Sequence, residues 1–463
     1  MMSKNDISME NIAQYLMERV LEETDKSRLT LESFEADLLS LAMQLGRAAV
    51  ANFFALVDHN ANVKDGDATW RAKERVSKGF MTRFGGIEVL RWVHQRVRNG
   101  ATRSFVEERL GIIAGFLTPL AAKLAVELAA DLTTRDAGSF FNRLGGMTPS
   151  RSTIQRLVQT TGREWEEQRL NIENLQRNTY VPPRTAKSVA VMLDGVMVHM
   201  VSSKRDELKE KARGEGRKIG GPVGDKEASA GVLVFYDAEG NRLSTRRFAR
   251  MPEADKGSLK ETLRRELANV RLRRPDIAVV AISDGAPNNW TFLESLGPDH
   301  QIVDFYHTVE HIKRRLDTAL EPGSHENQRQ LKALRRILRD TPNGHVAVFA
   351  RLTKIEKEAG TYKERKTEGR GAQPTFYERH AGRMDFAGFL AKNLPIGSGV
   401  VEGTVRHIVV DRLRRTGMRW TDSGGQAVLT IRAAVKNSSF DTAWGFLFEL
   451  GALIRPFGWG GLA

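Results

Sequence analysis

Ser188-Val-Ala-Val-Met-Leu-Asp194 is an almost unbroken apolar run closed by a carboxylate. Such a run predicts a short strand buried on both faces. A carboxylate at the end of that strand is costly unless something pairs with it. Ile277-Ala-Val-Val-Ala-Ile-Ser-Asp284 repeats the pattern, and Glu402, in Ile396-Gly-Ser-Gly-Val-Val-Glu402-Gly403, opens a basic helical segment. Three carboxylates placed this way point to one shared partner. A divalent metal pair suits them, because hard cations take carboxylate oxygens and keep positions open for phosphate and water. Taken singly, each aspartate also reads as a turn residue, since both stand in Asp-Gly pairs.

The surrounding pattern is α/β. Val181-Pro-Pro-Arg-Thr185 reads as a linker. The first strand spans 188–200, and the charged, Gly-rich stretch 202–228 reads as a loop. Within it, Gly214-Glu-Gly-Arg-Lys-Ile-Gly-Gly221 lacks the Lys-Ser/Thr ending and the strand-to-helix setting of a phosphate loop. Residues 231–236 and 242–248 make a hairpin around Asp237-Ala-Glu-Gly-Asn241. An amphipathic helix over 259–272, a strand over 277–283, a short helix over 289–296 and a strand over 301–306 follow. Strand, hairpin, helix, strand, helix, strand is the order of an RNase H-like mixed sheet, in which the first and fourth strands are neighbours. Asp194 and Asp284, 90 residues apart, would then converge at one edge of the sheet. A further 118 residues separate Asp284 from Glu402, because the helical, highly charged block 307–394 is inserted before it. That block carries a polar loop at Lys363-Glu-Arg-Lys-Thr-Glu-Gly-Arg-Gly371.

Upstream, residues 7–58 read as helices. Leu31, Phe34, Leu38, Leu39, Leu41 and Leu45 recur at roughly helical spacing and Leu56 extends the run. Ile87-Glu-Val-Leu-Arg-Trp-Val-His-Gln-Arg-Val97 alternates like a short strand pair. Residues 104–174 return to helix. There Thr134 to Gly146, the link Met147-Thr-Pro-Ser150 and Arg151-Ser-Thr-Ile-Gln-Arg-Leu-Val-Gln159 suit a helix-turn-helix. Arg151, Gln155 and Arg156 would share a face able to reach phosphates or base edges. Two packed helices with an exposed polar face give the same pattern.

The expected fold class is therefore multidomain α/β and α: an RNase H-like mixed sheet with an all-helical insertion, preceded by a mostly helical DNA-binding region. The expected divisions are 1–80, a helical N-terminal region; 81–180, a DNA-binding region with the strand pair and helix-turn-helix; 186–306 plus 395–436, the catalytic domain; 307–394, the insertion; and 437–463, a C-terminal tail.

The 463 residues carry 71 Lys+Arg against 57 Asp+Glu, a formal charge of +14 with pI ≈ 9.9. A field of that sign favours a polyanionic partner. Cysteine is absent, which excludes a disulfide framework and a thiolate zinc site. Met1-Met-Ser-Lys-Asn-Asp6 has no apolar signal core. The apolar stretch Leu110 to Leu132 is broken by Pro119, Lys123 and Glu127 and does not read as a membrane span. A nucleic acid is the expected partner, with no membrane, and a reducing cytosol fits the absence of cysteine.

Leu193-Asp-Gly195, Ser283-Asp-Gly-Ala286, Asp304-Phe-Tyr-His307 with Glu310-His311, Pro395-Ile-Gly-Ser-Gly-Val-Val-Glu402 and Arg412-Leu-Arg-Arg-Thr-Gly-Met-Arg-Trp420 occur in that order. In this the chain resembles the DDE transposases of bacterial insertion sequences, most closely the ISKra-type family. The resemblance covers about residues 85 to 450. It implies an RNase H-like catalytic domain, with Asp194, Asp284 and Glu402 as catalytic, metal-holding residues. It implies two Mg²⁺ (or Mn²⁺) ions per site, used to cut the element's terminal repeats and join them to target DNA. It also implies a homo-oligomer, at least a dimer on double-stranded DNA, in the cytoplasm beside the bacterial nucleoid. Relatives commonly carry zinc-ribbon cysteines upstream of the helix-turn-helix, and this chain has none. A catalytically idle DNA-binding descendant and an RNase H-like nuclease without strand transfer are the alternatives.

His307-Thr-Val-Glu-His311 has the spacing of the inverted zinc-protease motif. Asp304, His307 and His311 also read as support for the active site, or as capping and packing at a strand–helix junction. Arg406, Arg412, Arg414, Arg415 and Arg419 follow Glu402 closely and suit phosphate charge. A solvated helix face is the alternative. Trp420 suits stacking on a base, or core packing.

Overall fold

In the computed structural model of the chain, residues 8–23, 30–144, 146–201, 210–216, 224–361 and 375–454 are described. Most of the Gly214–Gly221 stretch, the polar loop 363–371 and the end of the C-terminal tail lie outside them. The architecture is multidomain α/β, and the chain divides into two units, Met1–Glu164 with Trp444–Ala463, and Trp165–Ala443.

The first unit holds an antiparallel sheet in the order β1-β2-β3-β4. Its strands are β1 (Val63–Asp65), β2 (Ala68–Thr82), β3 (Gly85–Arg96) and β4 (Thr102–Arg103). The stretch 87–97, expected as a strand pair, belongs to one strand, β3. Its partner β2 was hidden because seven of its residues in a row, Lys73 to Gly79, are exposed or half-buried. The alternating inward residues Ile87 and Val89 meet Phe54, Phe80, Val106 and Ile112 in a small core. Phe54 comes from the helix Leu31–Val57, started by a capping box between Thr30 and Ser33. Apolar side chains on another part of that helix, Leu31, Leu39, Leu45, Phe53 and Leu56, are exposed. By length and composition it is the one described helix able to cross a membrane, where the sequence reading had considered Leu110 to Leu132. In that second stretch, helix Pro119–Asp131 buries Ala121, Ala122, Ala125, Val126, Ala129 and Ala130. The expected C-terminal tail contains helix Phe440–Glu449, whose Phe448 ring leaves no room for a side chain at Gly111.

The second unit is built on a five-stranded sheet in the order β7-β6-β5-β8-β9. The strands are β5 (Ser188–His199), β6 (Asp225–Tyr236), β7 (Arg242–Arg250), β8 (Ala278–Ser283) and β9 (His300–Val303). In chain order this is 3-2-1-4-5. β6 runs antiparallel to both neighbours, and β5, β8 and β9 are parallel. The near-continuous apolar runs are central strands, where both faces are covered. β6 begins earlier than expected: Asp225 to Ala228 pair with His199 to Val196, although Asp225, Lys226 and Glu227 are polar. β9 ends earlier, because Phe305 and Tyr306 already belong to helix Phe305–Ala319.

Helix Gly257–Arg273 packs Leu259, Leu263, Leu267 and Val270 on the sheet. The helices after β9 share the same core, through Ile312, Leu316, Leu334, Leu338, Val348 and Leu352. A second cluster joins Val198, Ala228, Ala230 and Ala249 of the strands to Val405, Ile408, Val409, Leu413 and Leu429 of the last helices. The return of the chain is thereby anchored on the sheet.

Candidate functional site

β5 and β8 pair in register, with Met192 opposite Ile282. Two residues further on, Asp194 and Asp284 stand level. The offset of 90 residues noted in the sequence is the register of the ladder itself, as between Ser188 and Ala278. β8 and β9 pair with Ser283 opposite Val303, so Asp304 stands level with Asp284, and its N–H donates to the Ser283 carbonyl at 2.9 Å. Three aspartates therefore cross the ends of three adjacent parallel strands.

Asp304 is fully buried and caps helix Phe305–Ala319. Its Oδ1 accepts from the His307 N–H at 2.7 Å and lies 3.2 Å from His307 Nδ1. Its Oδ2 accepts from the Ser398 N–H. The Phe305 N–H donates to the Ile396 carbonyl at 2.9 Å, which closes the join. Residues 304–305 and 396–398 thus adjoin, across the inserted helices, and Gly397 is in close contact with the Tyr306 ring, which a Cβ there would meet at 3.0 Å. Helix Gly399–Thr404 starts from this join and carries Glu402. Ser398 Oγ donates to Glu402 Oε1 at 3.0 Å, and His307 Nδ1 is 3.8 Å from the same oxygen. Asp304, His307 and Glu402 form a group able to hold a metal ion, their ligand atoms all within 4.8 Å of one another.

Burial pushes the Asp194 carboxyl above its ordinary value, the Gly195 N–H opposes this, and Asp284 and Glu402 add to it while Lys256 opposes it. Burial works against ionisation of Asp304, yet hydrogen bonds from His307 and Ser398 outweigh it and hold that carboxyl low. The Asp304 hydrogen bond raises His307 to about 9, with Glu310 and Glu402 adding to it. In neutral solution His307 is the cation that Asp304 and Glu402 share.

The three carboxylates singled out in the sequence have a common form. Asp194 Oδ1 accepts from Gly195 N–H at 2.7 Å. Asp284 Oδ1 accepts from Ser283 Oγ at 3.0 Å and Ala286 N–H at 3.1 Å. Glu402 Oε1 is held by Ser398. In each, the other oxygen has no hydrogen-bond partner among the described residues. A carboxylate fixed by one oxygen and open at the other suits a hard cation; of the three, Glu402 belongs to the described group close enough to share one ion, with Asp304 and His307.

Three expected site residues turn out differently. His311 stacks on Phe376 at 3.9 Å instead of joining His307, so the zinc-protease spacing does not bring its two histidines to one metal group. Burial, with Arg314 and His307, holds His311 below its ordinary value. Arg412 is buried, and its guanidinium lies 5.3 Å from the centre of the Trp420 ring. Trp420 Nε1 donates to the Leu413 carbonyl at 2.9 Å. Arg412 is thus a buried residue and drops out of the DNA-facing set, while Trp420 is half-buried and packs against the core. Arg406, Arg414 and Arg419 are exposed and Arg415 is half-buried. Arg151, Gln155 and Arg156 are exposed on helix Arg151–Glu167, while Ile154, Leu157 and Val158 between them are buried.

Sequence reasoning passed over Ser398, Glu227 and Lys256. Ser398 lay in view between two glycines of the Glu402 motif. Nothing in the sequence marks the other two, which reach the site through strand pairing and a left-handed corner. Beside Asp194 and Asp284 opens a cleft of about 760 Å³, also lined by Glu227, Lys256, Lys260 and Asn289. In comparisons with known proteins, no family model and no curated protein matches this chain.

Proposed function

We propose that the chain is a DDE-type DNA transposase that cuts element ends and joins them to target DNA by metal-assisted phosphoryl transfer. The observation that carries the reading is the level alignment of Asp194 and Asp284 on adjacent strands, with Glu402 returned across the helical block to Asp304 and His307 at the end of the next strand. The strand order 3-2-1-4-5, with its antiparallel second strand, supports an RNase H-like reading of the sheet. Asp194, Asp284 and Glu402 would hold two Mg²⁺ or Mn²⁺ ions, which supply Lewis-acid polarisation of the scissile phosphate. The residues orient the reaction: Gly195 and Ala286 N–H and Ser398 Oγ fix one oxygen of each carboxylate and leave the other free. Asp304 sets the distance between the strand ends and helix Gly399–Thr404. The charge of +14 favours double-stranded DNA as substrate, and exposed Arg151, Gln155 and Arg156 suit its ends. A homo-oligomer on DNA in the bacterial cytoplasm completes the proposal.

The test incubates the full chain with Mg²⁺, labelled duplexes of candidate element ends and a target plasmid. Cut ends joined to plasmid support the reading. Cutting without joining supports the nuclease instead, and DNA binding without cutting supports the idle descendant. Asp194→Asn, Asp284→Asn and Glu402→Gln should each abolish cutting while DNA binding persists.

A further inference from the structure

The cleft beside the aspartates mixes charges, with three lysines among Glu227, Glu253 and Asp255. Lys226, Lys256 and Lys260 line it, with Asn288 and Asn289. Two of these lysines are nearly enclosed, with side chains 16% and 12% exposed for Lys256 and Lys260. Lysine is seldom buried without a partner. Lys256 Nζ lies 3.1 Å from Glu227 Oε1 and 3.5 Å from Oδ1 of the buried Asn289. Lys260 Nζ is 2.7 Å from Asp255 Oδ1.

The corner that presents Lys256 is strained. Asp255 (φ 51) and Lys256 (φ 54) are consecutive non-glycine residues in the left-handed region, a conformation that side chains disfavour and that persists only where its surroundings enforce it. Glu253 enforces it by accepting the N–H groups of Ser258 and Leu259 at 3.2 and 3.0 Å. Gly195 serves the same arrangement from the other side. A Cβ there would stand 2.0 Å from Glu227 Oε1, so a glycine directly after Asp194 is what lets Glu227 reach Lys256.

The two members of the pair differ. Lys256 is fixed by its corner and by Asn289, while the Glu227 side chain is 48% exposed and free to swing into solvent. The carboxylate occupies a cation that an incoming oxyanion can take. We infer that Lys256, backed by Lys260, is a phosphate-binding subsite that holds a DNA phosphodiester beside Asp194 and Asp284, with Glu227 as its resident competitor. An ammonium seated on a phosphate is a point charge that carries no sequence information, so the subsite positions any sequence equally. The inference rests on the nucleic-acid reading above. Its alternative is a merely structural pair that pins β6 to the corner.

The test measures binding of the full chain to a fluorescein-labelled duplex of arbitrary sequence, by anisotropy, from low to physiological salt. Lys256→Gln should weaken binding by about tenfold and lower the slope of log K against log salt by about one. Lys256→Arg should restore most of both, which separates lost charge from a damaged fold. Glu227→Gln should tighten binding severalfold, because the competitor is gone. A structural pair predicts that Lys256→Gln and Glu227→Gln act in the same direction, and that result overturns the subsite. So does an unchanged slope in Lys256→Gln when the parent chain binds DNA with a steep one. A parent chain whose binding is flat with salt removes the nucleic-acid reading itself, and the subsite with it.

Discussion

His307 is the residue through which the site without cations is most easily read. Its ring touches Asp304 and faces Glu402, and its pKa is raised to about 9, chiefly by the Asp304 hydrogen bond. An NMR titration should find it protonated at neutral pH, losing its proton near that value. Asp304→Asn should move the transition back toward 6.5, the ordinary value. The linkage has a definite sign. A histidine whose folded pKa is raised contributes stability that is fully present below 6.5 and is lost as pH rises towards about 9. The parent chain should therefore lose stability across that window, and Asp304→Asn should lose less of it. A His307 that titrates near 6.5 in the parent chain would remove the shared-cation arrangement. Asp304→Asn also weakens a cap and a buried tie to Ser398, so a loss of about 1–3 kcal/mol in overall stability is expected.

At the scale of elements, the turn after β8 decides where Asp284 points. Gly285 has φ +107, and a Cβ there would stand 2.6 Å from the Phe376 ring. Gly285→Ala should cost about 1–3 kcal/mol in a denaturant melt and should impair cutting beyond its effect on folding. Activity at the parent level would show that the turn tolerates a shift and that Asp284 is less tightly set. The elements differ in how well the sequence revealed them. β5 and β8 were legible because central strands are covered on both faces and read as apolar runs. Glu402 was legible because its Gly-Ser-Gly motif stands out before a helix. β2 and the first residues of β6 were not, since exposed or polar strands carry no apolar period. The end of β9 was misjudged by three residues, because Phe305 and Tyr306 look alike in a strand or a helix start. The six π-helical residues Val405–Val410 had no sequence signal at all. Arg412 read as a DNA contact from its charge and its place after Glu402, and Trp420 as either a base-stacking or a core residue. Only tertiary packing shows that each is the other's partner.

For the molecule as a whole, the basic balance should govern how DNA is held. Binding should weaken steeply as salt rises, since each phosphate contact releases counterions. Neutralising Arg151 and Arg156 together should reduce the preference for specific ends more than the affinity for random DNA. Equal losses on both would return helix Arg151–Glu167 to a packing role. The central claim is narrower than binding: Asp194, Asp284 and Glu402 act as one cation-holding centre. Counting Mn²⁺ bound by the full chain, by electron paramagnetic resonance titration, tests it most directly. Two ions per chain are expected, with at least one lost or much weakened in each of Asp194→Asn, Asp284→Asn and Glu402→Gln. Any of these variants that binds both ions as tightly as the parent chain would contradict the shared centre.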